Sequence, residues 1–132
     1  MSTRILLAED DVDIQLIARL ALKKAGFDVT VAGSGIEALA AVRTRPPDVV
    51  LLDWMMPGLD GPETCRQLKD DPATRDIPVI FLTAKSQESE VTRGLALGAA
   101  GYIVKPFDAL RLGARVATIL EAREAAGRGA PA

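Results

Sequence analysis

The chemistry available to this chain sits where four apolar runs stop. Glu9-Asp10-Asp11 follows Ile5-Leu6-Leu7-Ala8, and Asp53 follows Val49-Val50-Leu51-Leu52. Thr83 follows Pro78-Val79-Ile80-Phe81-Leu82, and Lys105 follows Tyr102-Ile103-Val104. Singly, each has an ordinary explanation: Asp11 as a helix cap, Asp53 as a loop acid, Thr83 as a turn residue, Lys105 as a solvated charge. Four such accidents at four strand ends are hard to assemble. Carboxylates from two adjacent strands cannot all stay ionised side by side without a cation. Oxygen-only ligands favour a hard ion, and few protein ligands completed by water suit Mg2+ better than Ca2+. Mg2+ beside a carboxylate, an ammonium and a hydroxyl is the apparatus that stabilises a phosphoryl group in transfer. Asp53 is then the candidate nucleophile, because carboxylates form aspartyl-phosphates.

Those residues meet only if the runs are parallel strands of one sheet. Arg4–Ala8, apolar from Ile5 onward, and the continuously apolar Val49–Leu52 and Pro78–Leu82 read as strands buried on both faces. Phe27–Ala32 alternates polar with apolar, which suits a sheet edge, and Tyr102–Val104 is a short fifth strand. Helices are expected between them. The first runs from about Val12 to Ala25, with Ile14, Ile17, Ala18 and Ala21 inward and Gly26 as its stop. Ser34 with Glu37 and Asp60 with Glu63 read as capping boxes for the second and third. Ile36, Leu39, Ala40 and Arg43 carry the second helix to Pro46-Pro47. The fourth spans about Ser86 to Leu97, with Gly94 in its interior. Asp108 caps the fifth, where Leu110, Ala114, Ala117 and Leu120 recur at helical spacing. Five alternating units give a doubly wound α/β fold, (βα)5 and flavodoxin-like. Its five-stranded parallel sheet takes the order 2-1-3-4-5.

Composition narrows the function classes. The chain has 132 residues and a formal net charge of −2, with a pI of about 5.1. That gives no basic footprint for direct nucleic-acid binding, and no basic amphipathic face for a membrane. With no histidine, His-based catalysis, His metal ligation and a phosphohistidine on this chain are all excluded. The single cysteine, Cys65, reads as a small half-buried helix residue. No run reaches transmembrane length or forms a signal-peptide core, so a cytoplasmic location is expected. Residues 1–123 form one domain, and 124–132 are an Ala/Gly/Arg-rich tail expected to be flexible.

The sequence resembles the receiver domains of two-component response regulators over about residues 3 to 122. The resemblance is carried by Glu9-Asp10, the D-x-x-M-P-x-x-D-G run from Asp53 to Gly61, Thr83-Ala84 and Lys105-Pro106-Phe107. In this order and spacing the set is highly specific. The resemblance implies Asp53 as phosphoacceptor, taking a phosphoryl group from the phosphohistidine of a sensor histidine kinase or phosphotransfer protein. It implies Mg2+ held by Asp10, Asp53 and the backbone carbonyl of Met55, with Glu9 acting directly or through water. Lys105 would pair with a phosphoryl oxygen, and its bond to Pro106 would be cis. Thr83 would hydrogen-bond the phosphoryl, Ala84 would leave the approach open, and Tyr102 stands at the switch-aromatic position. Met55 and Lys85 would flank the hydrolytic water.

Two alternatives set the limits of this reading. A Mg2+-dependent aspartyl-phosphate phosphohydrolase needs a second Asp two residues after its nucleophile, where Met55 stands. A flavin site would not place three acids in the loop after the first strand. The output stays open between a single-domain regulator that docks on an unknown target and the receiver part of a longer regulator with an effector domain. Receivers that dimerise to bind DNA usually carry acids before the switch aromatic. Here that stretch is Ala99-Ala100-Gly101, with Arg111 in place of another expected acid, so a monomer or weak dimer is expected.

Overall fold

The apolar runs pair side by side, all parallel, as β1 (Arg4–Ala8), β2 (Asp28–Ala32), β3 (Val49–Asp53), β4 (Val79–Thr83) and β5 (Gly101–Val104). Their order across the sheet is β2-β1-β3-β4-β5, as the sequence predicts. The helices are α1 (Val12–Lys24), α2 (Gly35–Thr44), α3 (Gly61–Asp70), α4 (Glu88–Ala96) and α5 (Ala109–Gly129). The computed structural model describes residues 2–84 and 88–129. Lys85 and Ser86, which the sequence assigns to the water site and to the start of the fourth helix, lie outside the described residues. α5 continues past Glu124, where the sequence reading starts the tail.

Alternate residues of each central strand enter different cores, because strand side chains point to opposite faces. Leu6, Ala8, Val50, Leu52 and Phe81 pack with Leu39, Val42, Cys65 and Leu68 of α2 and α3. Ile5, Leu7, Leu51, Ile80 and Leu82 pack with Ala18 and Leu22 of α1 and with Leu112 and Val116 of α5. Burial on both faces explains why β3 and β4 carry no alternation, while β2, at the edge, does.

In three helices the buried face is not the one that apolar spacing alone would select. On α1, Ile17 is exposed and Leu22 is buried with Ala18. On α2, Ile36 is exposed, and Ala38, Leu39 and Val42 turn inward. On α5, Leu110 is 87% exposed while Leu112 and Val116 are buried. α1 is apolar over most of its circumference, with Leu16 and Leu20 also exposed, so periodicity selects no single face. The choice is made by packing between helices. A Cβ added to Gly113 would lie 2.4 Å from Ala25 Cβ, so α5 meets the end of α1 there and Leu110 turns outward. Each expected capping box forms only its forward half. Ser34 Oγ accepts from Glu37 N and Asp60 Oδ1 from Glu63 N, but Glu37 reaches back to Gly33 N and Glu63 pairs with Arg66.

Candidate functional site

The three consecutive acids after β1 separate into three roles. Glu9 is fully buried and its Oε2 accepts from Asp11 N at 3.1 Å. Asp11 is the N-cap of α1, its Oδ1 accepting from Asp13 N and Ile14 N. Asp10 is exposed between them. Across the sheet, Asp53 is the last residue of β3, buried and in register with Leu82. The backbone stays in the ladder one residue further, where Trp54 N donates to Leu82 O at 2.8 Å.

The loop beyond Asp53 returns behind it. Gly58 takes φ of 76°, and Gly61 N donates to Trp54 O at 3.1 Å. A Cβ on Gly61 would sit 2.3 Å from the Asp53 carbonyl oxygen. Any side chain there would push the loop off the strand end. This is the physical content of the Asp60-Gly61 pair: one residue caps α3 and the next permits the close return. Met56 is buried beneath the loop, whereas Met55 is 72% exposed. Met55 N donates to Asp53 Oδ1 at 3.3 Å.

Lys105, just after β5, closes the pocket. Its Nζ lies 2.5 Å from Glu9 Oε1 and 3.1 Å from Asp53 Oδ1. Glu9 Oε1 makes no directed hydrogen bond among the described residues, so the ammonium charge is what holds it. The cation that the crowded carboxylates require is therefore present in the chain itself. It does not fully compensate them. Burial, then the hydrogen bond and charge of Glu9, push Asp53 up to about 7 against the opposing pull of Lys105. Burial draws the Lys105 ammonium down, but the two carboxylates outweigh it and its net direction is up. Ligand oxygens of Glu9, Asp10 and Asp53 all come within 4.8 Å of one another. An all-oxygen set with two buried members fits a hard divalent cation.

The remaining predicted residues come to the same rim. Thr83 ends β4 opposite Val104, and Lys105 N donates to Thr83 O at 2.6 Å. The Lys105–Pro106 peptide is cis. Asp53, Met55, Thr83, Ala84 and Lys105 line one open pocket. Tyr102 lies apart, half-buried, lining a cavity of about 10 Å³ that reaches Thr83 from below α4. Sequence reasoning missed Glu90. Thr83 Oγ1 donates to Glu90 Oε2 at 2.9 Å, and Glu90 lines both the pocket and the cavity. A glutamate on a helix carries no signal of its own; only the return of α4 over β4 brings it there.

Sheet order and pocket together define a flavodoxin-like α/β protein with a candidate metal site at the carboxyl ends of its strands. Within that class, the chain belongs to the response regulator receiver domain family, whose sequence profile matches residues 5–117. It is 43% identical over 120 residues to the phosphate regulon transcriptional regulatory protein PhoB of Rhizobium meliloti, covering 91% of this chain and 53% of that protein. It is 44% identical over 116 residues to the DNA-binding response regulator MtrA of Mycobacterium tuberculosis, covering 88% and 50%. The chain thus spans about half the length of the curated relatives it matches. Among solved structures, the chemotaxis response regulator CheY4 of Vibrio cholerae superposes with a TM-score of 0.85 at 28% identity, covering 90% of this chain and 99% of that one. The receiver domain of the Francisella response regulator 1452 superposes with a TM-score of 0.83 at 34% identity, covering 92% and 99%. Among the described residues, no helix is long and apolar enough to cross a membrane.

Proposed function

We propose that this receiver domain carries its signal as an aspartyl-phosphate on Asp53, formed with Mg2+ and taken from the phosphohistidine of a partner kinase or phosphotransfer protein. The observation that supports this is a buried carboxylate, Asp53, facing an ammonium at 3.1 Å within an all-oxygen cluster open to solvent through Asp10. An Asp53 oxygen attacks phosphorus, and the donor's phosphorus–nitrogen bond breaks. The electron pair stays on the imidazole nitrogen, which takes up a proton. Lys105 would leave its two carboxylates for a phosphoryl oxygen, and the Thr83 hydroxyl would donate to another. Asp10, Asp53 and the Met55 carbonyl would hold Mg2+, with Glu9 direct or through water. Bound there, the ion neutralises charge on the transferring group.

The chain is a signalling protein in this reading, not a classical enzyme. Phosphorylation biases the surface around α4 and β5, where Thr83 and Tyr102 meet one cavity. The output is a docking event on a protein target, either from a single-domain regulator or within a longer one. The test is incubation with acetyl phosphate and Mg2+, read by intact mass. One phosphoryl group is expected on the parent chain and none on Asp53→Asn. Full labelling of that variant would overturn the assignment.

A further inference from the structure

Among the α4 residues whose side chains are described, Glu90 is the one carboxylate that faces the pocket. α4 itself is lightly held, since Gly94 is its one fully buried residue among those whose side chains are described. A Cβ on Gly94 would meet the Phe81 ring at 3.1 Å and Trp54 at 3.4 Å, so the helix backbone rides directly on these two rings. The Arg93 guanidinium lies 5.8 Å from the Trp54 ring centroid. Residues three and four apart share a helix face, so Glu90, Arg93 and Gly94 all point at β4 and the loop after β3.

We propose that Glu90 is a latch: its carboxylate holds the Thr83 hydroxyl toward α4 in the resting chain, and a phosphoryl group on Asp53 releases it. This rests on the reading of Asp53 as phosphoacceptor. A threonine hydroxyl has a single proton to donate. It serves Glu90 at 2.9 Å now, and cannot also serve a phosphoryl oxygen. Once Thr83 turns to the phosphoryl, Glu90 is left as an acceptor facing a second anion in a partly dry pocket, and the like charges drive it outward. Because Glu90 shares its helix face with Arg93 and Gly94, that displacement carries Arg93 off Trp54 and loosens α4 over Phe81. The cavity beside Tyr102 lies under the same segment. Glu90 is thus a positioning residue acting through Thr83, and competition between two acceptors for one proton couples the pocket to α4.

The experiment uses Trp54, the only tryptophan of the chain, as the reporter. Beryllofluoride with Mg2+ is titrated into the parent, Glu90→Ala and Glu90→Gln, each with and without Thr83→Ala. Glu90→Ala is expected to bind the probe severalfold tighter, because the competing state is removed, and to show resting Trp54 emission shifted toward the probe-bound value. Glu90→Gln keeps an acceptor but loses the charge, so it should give a smaller gain with near-parent resting emission. In the Thr83→Ala background the Glu90→Ala gain should shrink, as a double-mutant cycle requires of coupled residues. Equal gains in both backgrounds, or no gain, would overturn the latch. A purely structural role would weaken binding and lower the urea midpoint regardless of Thr83, which also overturns it. Acetyl phosphate labelling of the parent separates the two levels. Label on Asp53 with no Glu90 effect removes the latch alone, and absence of label removes the phosphoacceptor reading with it.

Discussion

On the proposed reading, the Asp53 side chain must be buried enough to hold a phosphoryl group away from water and open enough to receive it. The loop residue two positions on decides part of that balance. Met55 lines the pocket, is 72% exposed, and offers the reacting region a thioether that makes no strong hydrogen bond. Hydrolysis of an aspartyl-phosphate needs a water held in line with the breaking bond, and positioning is most of that catalysis. Replacing Met55 with Asn supplies an amide that can orient the water. The phosphoryl lifetime on Asp53 is expected to shorten severalfold, followed as loss of label after removal of acetyl phosphate; an unchanged or longer lifetime would show that Met55 does not control the water. Residues at this scale were the most legible part of the sequence. Glu9, Asp53, Thr83 and Lys105 announce themselves because each is polar where an apolar strand stops. Asp11 was legible as a helix cap, but the burial of Glu9 beside an exposed Asp10 was not, since adjacent acids diverge only when the backbone enters α1.

Helix elements were legible in extent and less so in orientation. The predicted faces of α1 and α5 fail at Ile17 and Leu110, where more apolar residues exist than the sheet can cover. Which of them go inward depends on contacts between residues far apart in sequence, and Gly113 against Ala25 is the decisive one. That contact yields a prediction in which two effects oppose each other. Gly113→Ala improves intrinsic helix propensity by up to ~1 kcal/mol. The added methyl, however, would sit 2.4 Å from Ala25 Cβ, with the Ala25 backbone behind it at 3.9 Å. Overpacking of this kind costs about 1–3 kcal/mol, and neither helix can yield without losing Leu112 and Val116 from the core. Steric cost wins, and urea denaturation should show a net loss of about 1–2 kcal/mol. An increase in the midpoint would mean that α1 and α5 can slide apart freely. The same reasoning bears on the departure before Tyr102. A Cβ at Gly101 would lie 3.0 Å from Ile119 Cγ2, so a larger residue there would make the Ile119 side chain of α5 shift.

For the molecule as a whole, the pocket is a site of stored repulsion that a ligand can relieve. Asp53 is raised from 3.8 to about 7 by burial and by Glu9, with Lys105 opposing. An acid whose folded pKa is raised binds its proton more tightly in the native state than in the unfolded chain. Its contribution to stability is therefore fully present below the unfolded value and is lost as pH rises through the folded one. For the metal-free chain this gives a stability that falls between about pH 4 and pH 7, with a slope of at most about 1.4 kcal/mol per pH unit. Glu63, drawn from its ordinary 4.5 down to about 2 by Arg66, changes its contribution below about pH 4.5 and does not mask the trend above pH 5. Asp10 is exposed, so its charge is screened and Asp10→Asn should relieve much less of the strain than Asp53→Asn. A divalent cation binds the ionised carboxylates alone, so its stabilisation must grow over the same pH range in which the metal-free chain weakens. Urea melts from pH 5 to pH 8 should thus show a falling midpoint in EDTA, a flattened profile in saturating Mg2+, and a flattened profile without metal in Asp53→Asn. A midpoint in EDTA that rises with pH across this interval would mean that Lys105 compensates both carboxylates fully, leaving no repulsion for a metal or a phosphoryl group to work against.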